Sequence, residues 1–255
     1  MNLKLILFSP TGGTRRVGEA LADAIRTESD NCETFELCAS AEAVRLPTFT
    51  ANDMTIIAMP VFAGRVPSLA IERLRQTEGN NARCAVVAVY GNRAYDDALI
   101  EMHDVAASLG FRVIAAIGAV AEHSIVRAYG HGRPDADDIR ELQSFGRHIA
   151  KKIANGDDTP PSTPGNRPYR KPVYGPYPKA NRRCDACGAC ANGCPAGAID
   201  KDNIKTVDKQ KCISCMKCVA ACPKGARGVG SLLRFIIARK IRKGCATRKR
   251  SELFA

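Results

Sequence analysis

Along the first two thirds of the chain, short apolar runs alternate with stretches in which apolar residues recur every three or four positions. The runs predict five strands, at residues 4–9, 33–38, 54–59, 84–90 and 112–117, and the stretches between them predict helices at 14–27, 68–76, 95–109 and 137–154. The fourth run, ARCAVVAVYG, is apolar without a break, as a strand buried on both faces requires. The last helix follows Pro134, and Asp135, Asp137 and Asp138 suit its positive N-terminal end. This alternation predicts an α/β domain built on a five-stranded, doubly wound parallel sheet.

After residue 156 the pattern breaks. Residues 157–181 contain Pro160, Pro161, Pro164, Pro168, Pro172, Pro176 and Pro178, a density that excludes helix and predicts an extended linker. Tyr169, Tyr174 and Tyr177 offer the alternative of a linker pinned onto a domain surface. Residues 182–228 form a cysteine-rich lobe, and 229–255 a basic tail. In the tail, apolar positions 232, 233, 235, 236, 237 and 241 are interrupted by Arg234, Arg239, Lys240, Arg242 and Lys243. The two classes overlap on a helical wheel, so a helix packed on the protein with a basic rim is expected, not one lying in a membrane surface. The predicted organisation is therefore 1–156, 157–181, 182–228 and 229–255.

Composition narrows the class. Apolar residues at 45% and charged residues at 25% of 255 positions are ordinary for a globular chain and exclude wholesale disorder. No run of about 18 apolar residues exists, so no membrane-spanning helix is expected. The N-terminal apolar stretch runs into a turn without a cleavage-like site, which makes a cytoplasmic protein the expectation. The net charge of +12 is uneven: residues 1–156 carry 17 basic against 19 acidic side chains, while 223–255 carry 10 basic ones against Glu252 alone. No aromatic-interleaved basic platform accompanies that charge, so nucleic acid is not an expected partner.

Two motifs carry chemistry. SPTGGT joins the first strand to the first helix and reads as a cradle for a phosphate at the positive end of the helix dipole, against the alternative of an ordinary Gly-rich turn. Ser9, Thr11 and Thr14 supply hydroxyls, and Gly12 and Gly13 allow close approach. Neither GxxxxGK[ST] nor GxGxxG is present. The loop resembles the phosphate-binding loop of flavodoxins, and MPVFAGRVP and VYGNRAYDDA follow the third and fourth strands where that family holds its flavin. The resemblance implies a flavodoxin-like sheet ordered 2-1-3-4-5. It also implies bound FMN, with contacts from Pro60, Val61, Phe62, Ala63, Gly64, Tyr90, Gly91, Asn92, Arg93 and Tyr95. Phe62 and Tyr95 are the candidates to lie against the ring. AEHSIV follows the fifth strand, placing His123 and Ser124 at the same edge.

In the second motif, Cys184, Cys187, Cys190 and Cys194-Pro195 are repeated as Cys212, Cys215, Cys218 and Cys222-Pro223, an internal duplication. Three thiolates at spacings of three suit a four-iron cube, with the fourth iron left to a cysteine elsewhere. Two zinc sites are the alternative, although structural zinc usually takes separated CxxC pairs. Residues 182–226 resemble bacterial two-cluster ferredoxins, including CPAGAI and KCISCMKC, which implies a small α+β ferredoxin domain with two [4Fe-4S] clusters. In that family the fourth cysteine of each run serves the other cluster. One cluster would then use Cys184, Cys187, Cys190 and Cys222, and the other Cys212, Cys215, Cys218 and Cys194.

The whole chain resembles flavodoxin–ferredoxin fusions of anaerobic prokaryotes. The resemblance implies an electron-transfer protein passing electrons between FMN and the clusters, with redox proteins as partners, acidic ones where the basic tail is the contact. A homodimer is compatible with the sequence. The competing readings are a flavin-dependent oxidoreductase acting on a small molecule, with Arg65, Arg93 and His123 as substrate contacts, and a docking module that uses the tail.

Overall fold

The computed structural model describes residues 2–26, 31–40, 43–173 and 175–255. Its elements are, in order, β1 (Asn2–Leu7), α1 (Gly13–Ile25), β2 (Asn31–Glu36), β3 (Asp53–Pro60), α2 (Ser68–Leu74), β4 (Arg83–Tyr90), α3 (Ala98–Ser108), β5 (Arg112–Val120) and α4 (Ala136–Ala154). There follow β6 (Lys179–Ala180), α5 (Ala189–Asn192), α6 (Lys217–Ala220), β7 (Arg227–Gly228), α7 (Ser231–Cys245) and β8 (Glu252–Phe254). Each of the five predicted strands and four predicted helices has its counterpart; Thr27, the expected end of the first helix, lies outside the described residues.

Five strands run parallel in the order β2-β1-β3-β4-β5, which is the flavodoxin-like winding. β3 and β4 lie in its centre, and seven or more residues of each are buried because helices cover both faces. On one face, Val17 and Leu21 of α1 and Leu142 and Ile149 of α4 close over Leu3, Leu5 and Ile56. Ala70 and Leu74 of α2 and Leu99 and Met102 of α3 close over Ile6, Ile57 and Val86 on the other. Gly146 lets α4 approach α1, since a Cβ there would meet the Ala24 Cβ at 2.6 Å. Asp135 caps α4 by accepting from the N–H groups of Asp137 and Asp138.

The sheet has a sixth strand that the sequence pattern does not reveal. β8 pairs antiparallel with β5, placing Leu253 opposite Ile117 and Phe254 opposite Ala116. A three-residue segment is too short for periodicity to mark it, yet it covers the edge that β5 would otherwise expose. The tail is therefore not a separate unit: 229–255 leaves the cysteine-rich lobe as α7 and returns to complete the first domain.

Residues 157–181 take the pinned form. Asp97 of the α3 N-terminus accepts N–H groups from Asn166 and Arg170, Asp104 accepts from Arg167 and the Tyr169 hydroxyl, and Arg65 lies over the Tyr169 ring. Tyr174 lies outside the described residues. The cysteine-rich lobe has a core of only Cys190, Ala191, Ile199 and Ile204, too small to be stable without further support. It sits against the first domain: the Arg73 guanidinium donates to the carbonyls of Ala39 (2.9 Å) and Pro195 (2.7 Å), and the Lys217 ammonium to that of Cys38.

Candidate functional site

The site at the carboxyl edge of the sheet starts from the turn between β1 and α1. Gly12, in the left-handed region at φ 89°, occupies the N-cap position of α1 and offers no side chain to the first-turn N–H groups. Ser9 is not among the residues lining the pocket, and its hydroxyl accepts from the N–H of Arg15 at 2.9 Å. Thr11, Gly13 and Thr14 line a pocket with Pro10, Pro60, Val61, Phe62, Val89, Tyr90, Gly91 and the 121–124 loop. Phosphate turn, β3 loop and β4 loop thus share one cavity. A Cβ on Gly13 would come within 3.1 Å of the Ala121 Cβ, and one on Gly91 within 2.7 Å of the His123 Cβ, so these glycines hold the walls close.

Five of the expected flavin contacts, Ala63, Gly64, Asn92, Arg93 and Tyr95, are not among the residues that line this pocket. Asn92 is buried, and its amide is fully used by the C-terminal segment and Arg133. Its Nδ2 donates to the carbonyls of Cys245 (3.2 Å) and Thr247 (2.9 Å), and its Oδ1 accepts from Arg133 and from the N–H of Lys249, both at 3.0 Å. Arg93 is paired with Asp96 and covered by Gly244. Tyr95 packs edge-on to Tyr90 at 5.4 Å and donates its hydroxyl to Glu252 of β8 at 2.9 Å, which leaves Phe62 as the aromatic of the two that lines the cavity. The carbonyl of Gly64 accepts from the N–H of Asp97, and Ala63 and Gly64 form the tip of the bridge between Phe62 and Arg65, outside the pocket wall. The C-terminal strap, residues 245–254, that takes the side chains of Asn92 and Tyr95 is not readable in the sequence because β8 is not.

His123 stands in the pocket wall. Its Nδ1 accepts the N–H groups of Ile125 and Val126, each at 3.2 Å, so the ring proton resides on Nε2. Burial, and beyond it the nearby Arg93, holds its pKa below the ordinary histidine value, overcoming an opposing backbone hydrogen bond. The imidazole is therefore a neutral donor at neutral pH.

From Thr11, Gly12 and Gly13 a wider groove continues past Arg16, Glu122, Ser124, Arg127 and Arg133 to Met216, Val219 and Ala220 of the cysteine-rich lobe. The buried Arg133 is held by Asp138, at 2.8 and 2.5 Å. Arg16, Arg127 and Met216 were not foreseen. Met216 had a signal, however: it occupies the place in the second cysteine run that Gly188 holds in the first.

The duplication is also geometric. The left-handed residues Ala186, Gly188 and Gly197 recur as Ser214, Met216 and Gly225. The N–H of Ala198 donates to the Cys194 sulfur at 3.3 Å, and that of Ala226 to the Cys222 sulfur at 3.2 Å. Two small, largely apolar cavities result. Cys184, Cys187, Cys190 and Cys222 line the first, and Cys194, Cys212, Cys215 and Cys218 the second, so each run sends its fourth cysteine to the other. Burial pushes the Cys215 and Cys218 thiols up to about 12, so assembly with a cation must release their protons. Cys222 goes the other way: burial opposes its ionisation, but the N–H groups of Ala226, Arg227 and Lys224 outweigh that. A zinc ion needs its ligands within about 2.3 Å of one point. Here the thiols stand around the walls of two cavities, four to each. The arrangement fits a cube held at its corners.

Residues 183–227 match the family model of the 4Fe-4S dicluster domain. In fold the chain is similar to a flavodoxin from the domain Archaea, at 16% identity over 60% of this chain and 99% of that one, TM-score 0.45. It is similar to the Streptococcus pneumonia TIGR4 flavodoxin, at 19% identity over 60% and 99%, TM-score 0.43. A third likeness is to rubredoxin oxygen:oxidoreductase from Desulfovibrio gigas, at 12% identity over 60% of this chain and 36% of that one, TM-score 0.44. No curated protein matches the sequence. The chain joins a flavodoxin-like fold, evident from its own sheet order, to a 4Fe-4S dicluster domain, a combination consistent with a flavodoxin–ferredoxin fusion. The dicluster domain supports an iron–sulfur redox protein. No described helix is long and apolar enough to cross a membrane.

Proposed function

We propose that this chain is an electron-transfer protein in which FMN and two [4Fe-4S] clusters exchange electrons within one molecule. The observation that carries this reading is the position of Met216. Its side chain is 2% exposed and lines both the Cys194, Cys212, Cys215 and Cys218 cavity and the groove that begins at the phosphate turn. Met216 thus stands between the second cluster site and the groove that leads to Thr11, Gly12 and Gly13. When bound, FMN takes up two electrons and releases them singly, and each cluster passes one at a time.

Thr11, Gly12, Gly13 and Thr14 would hold the phosphate, with Arg16 beside it, and Phe62, Tyr90 and Gly91 would border the ring. His123 would offer a neutral Nε2–H donor. Cys184, Cys187, Cys190 and Cys222 would hold one cluster and Cys194, Cys212, Cys215 and Cys218 the other. The carrier reading is favoured over a substrate-specific oxidoreductase because two of the three candidate substrate contacts are occupied. Arg65 is bound to Glu101 at 2.6 and 2.7 Å and Arg93 to Asp96, and neither lines the pocket. Anaerobically purified protein should hold about one FMN, about eight irons and about eight acid-labile sulfides. Zinc in place of iron after anaerobic reconstitution would defeat the cluster assignment.

A further inference from the structure

Helix α7 carries the most unusual surface of the molecule. Leu232, Leu233, Phe235 and Ile236 are 72%, 44%, 59% and 51% exposed. Immediately after them come Arg239, Lys240, Arg242 and Lys243, all exposed, and neither these nor Arg234 has a carboxylate partner among the described residues. Two later arginines differ: Arg248 is bound to Asp135 and Asp138, and Arg250 to Glu141. The helix is nevertheless anchored, by the Tyr129 hydroxyl donating to the Ala238 carbonyl at 3.0 Å and by the burial of Cys245.

We propose that the exposed face of α7 is the docking surface for a small acidic one-electron carrier protein that presents an apolar patch bordered by carboxylates. The proposal rests on the cluster assignment above. Ser231, Arg234, Phe235 and Ala238 share a groove with Met216 and Val219, so a partner seated on the start of α7 lies beside the second cluster cavity. One electron then passes between that cluster and the carrier, the two changing oxidation state by one in opposite senses, with no bond or proton moved. The same face disfavours the other occupants. Leu232, Ile236, Arg239 and Lys243 follow at spacings of four, three and four and form a single stripe, apolar at one end and cationic at the other. A helix lying flat on a bilayer could not bury the first pair without the second. A second copy would bring like charges together.

The test titrates anaerobic holoprotein with an acidic two-cluster ferredoxin at low and at high salt, for the wild type and two double variants. Wild-type affinity should fall at least tenfold with salt, and Arg239→Glu with Lys243→Glu should abolish binding at low salt. Leu232→Ser with Ile236→Ser should weaken binding about tenfold while keeping the salt dependence. All four positions are exposed, so iron and FMN contents should match wild type. Unchanged binding in both variants would overturn the proposal. So would a wild type that ignores the ferredoxin and binds phosphatidylglycerol vesicles instead. A wild type without iron would refute the cluster assignment separately, since complex formation is read independently of metal content.

Discussion

Thr11 lines both the pocket proposed for the flavin and the wider groove, so its hydroxyl is the side-chain group most directly testable as a phosphate ligand. A lost hydrogen bond to a charged group costs about 1.5–3 kcal/mol, so Thr11→Ala should weaken FMN binding by roughly tenfold or somewhat more. Riboflavin, which lacks the phosphate, should bind both proteins equally; equal weakening of both flavins would mean that the turn shapes the domain and holds no phosphate. His123 makes the second residue-scale prediction. Its folded pKa lies below its unfolded value of about 6.5, so the unfolded chain binds the extra proton first as pH falls. Its contribution to stability is complete above about pH 6.5 and is lost as pH drops through the lower folded value. Thermal unfolding of His123→Asn across that range should lack this part of the wild-type pH dependence; identical profiles would contradict the assignment. Met216 adopts φ 61°, which costs a non-glycine residue about 1–2 kcal/mol, while its buried side chain contributes about 1.5–3 kcal/mol. Met216→Gly removes both, so stability should change by only about 1 kcal/mol.

At the scale of elements, the C-terminal strand and the β4 loop form one unit. Asn92 links Cys245, Thr247 and Lys249 to Arg133, and Ser251 donates its N–H to Glu141 at 3.0 Å. Asn92→Ala would leave buried partners unpaired and place alanine at φ 61°, together a loss of about 2–4 kcal/mol. Each kcal/mol lowers the melting temperature of a chain this size by about 2–4 °C, a shift that calorimetry resolves. A melting temperature equal to wild type would show that the strap is incidental. The parallel sheet was legible because β3 and β4 are long apolar runs and the turns between elements carry Gly and Pro. β8 was not, because its three residues acquire strand geometry only from the free edge of β5. That one omission hid the hydrogen bonds that Asn92 and Tyr95 make to the C-terminal segment. The two cysteine runs are legible as a 28-residue repeat in which even the left-handed positions recur, whereas the exchange of their fourth cysteines comes from the resemblance to two-cluster ferredoxins and not from the repeat.

At the scale of the whole molecule, the chain leaves the flavodoxin-like domain, builds the cysteine-rich lobe, and returns through α7 to close the same sheet. Arg73, Lys217 and the β5–β8 pairing tie the lobe to the domain from several sides. A fixed interface of this kind would make the proposed electron exchange a property of one molecule, whereas a free tether would only raise local concentration. The most direct test is to reduce holoprotein partially and rapidly with a light-driven one-electron donor and follow flavin and cluster absorbance as the electron redistributes. The account predicts a single internal phase whose rate is independent of protein concentration and falls in Met216→Gly, with FMN and iron contents unchanged. A rate proportional to protein concentration, or no exchange between fully loaded cofactors, would contradict it.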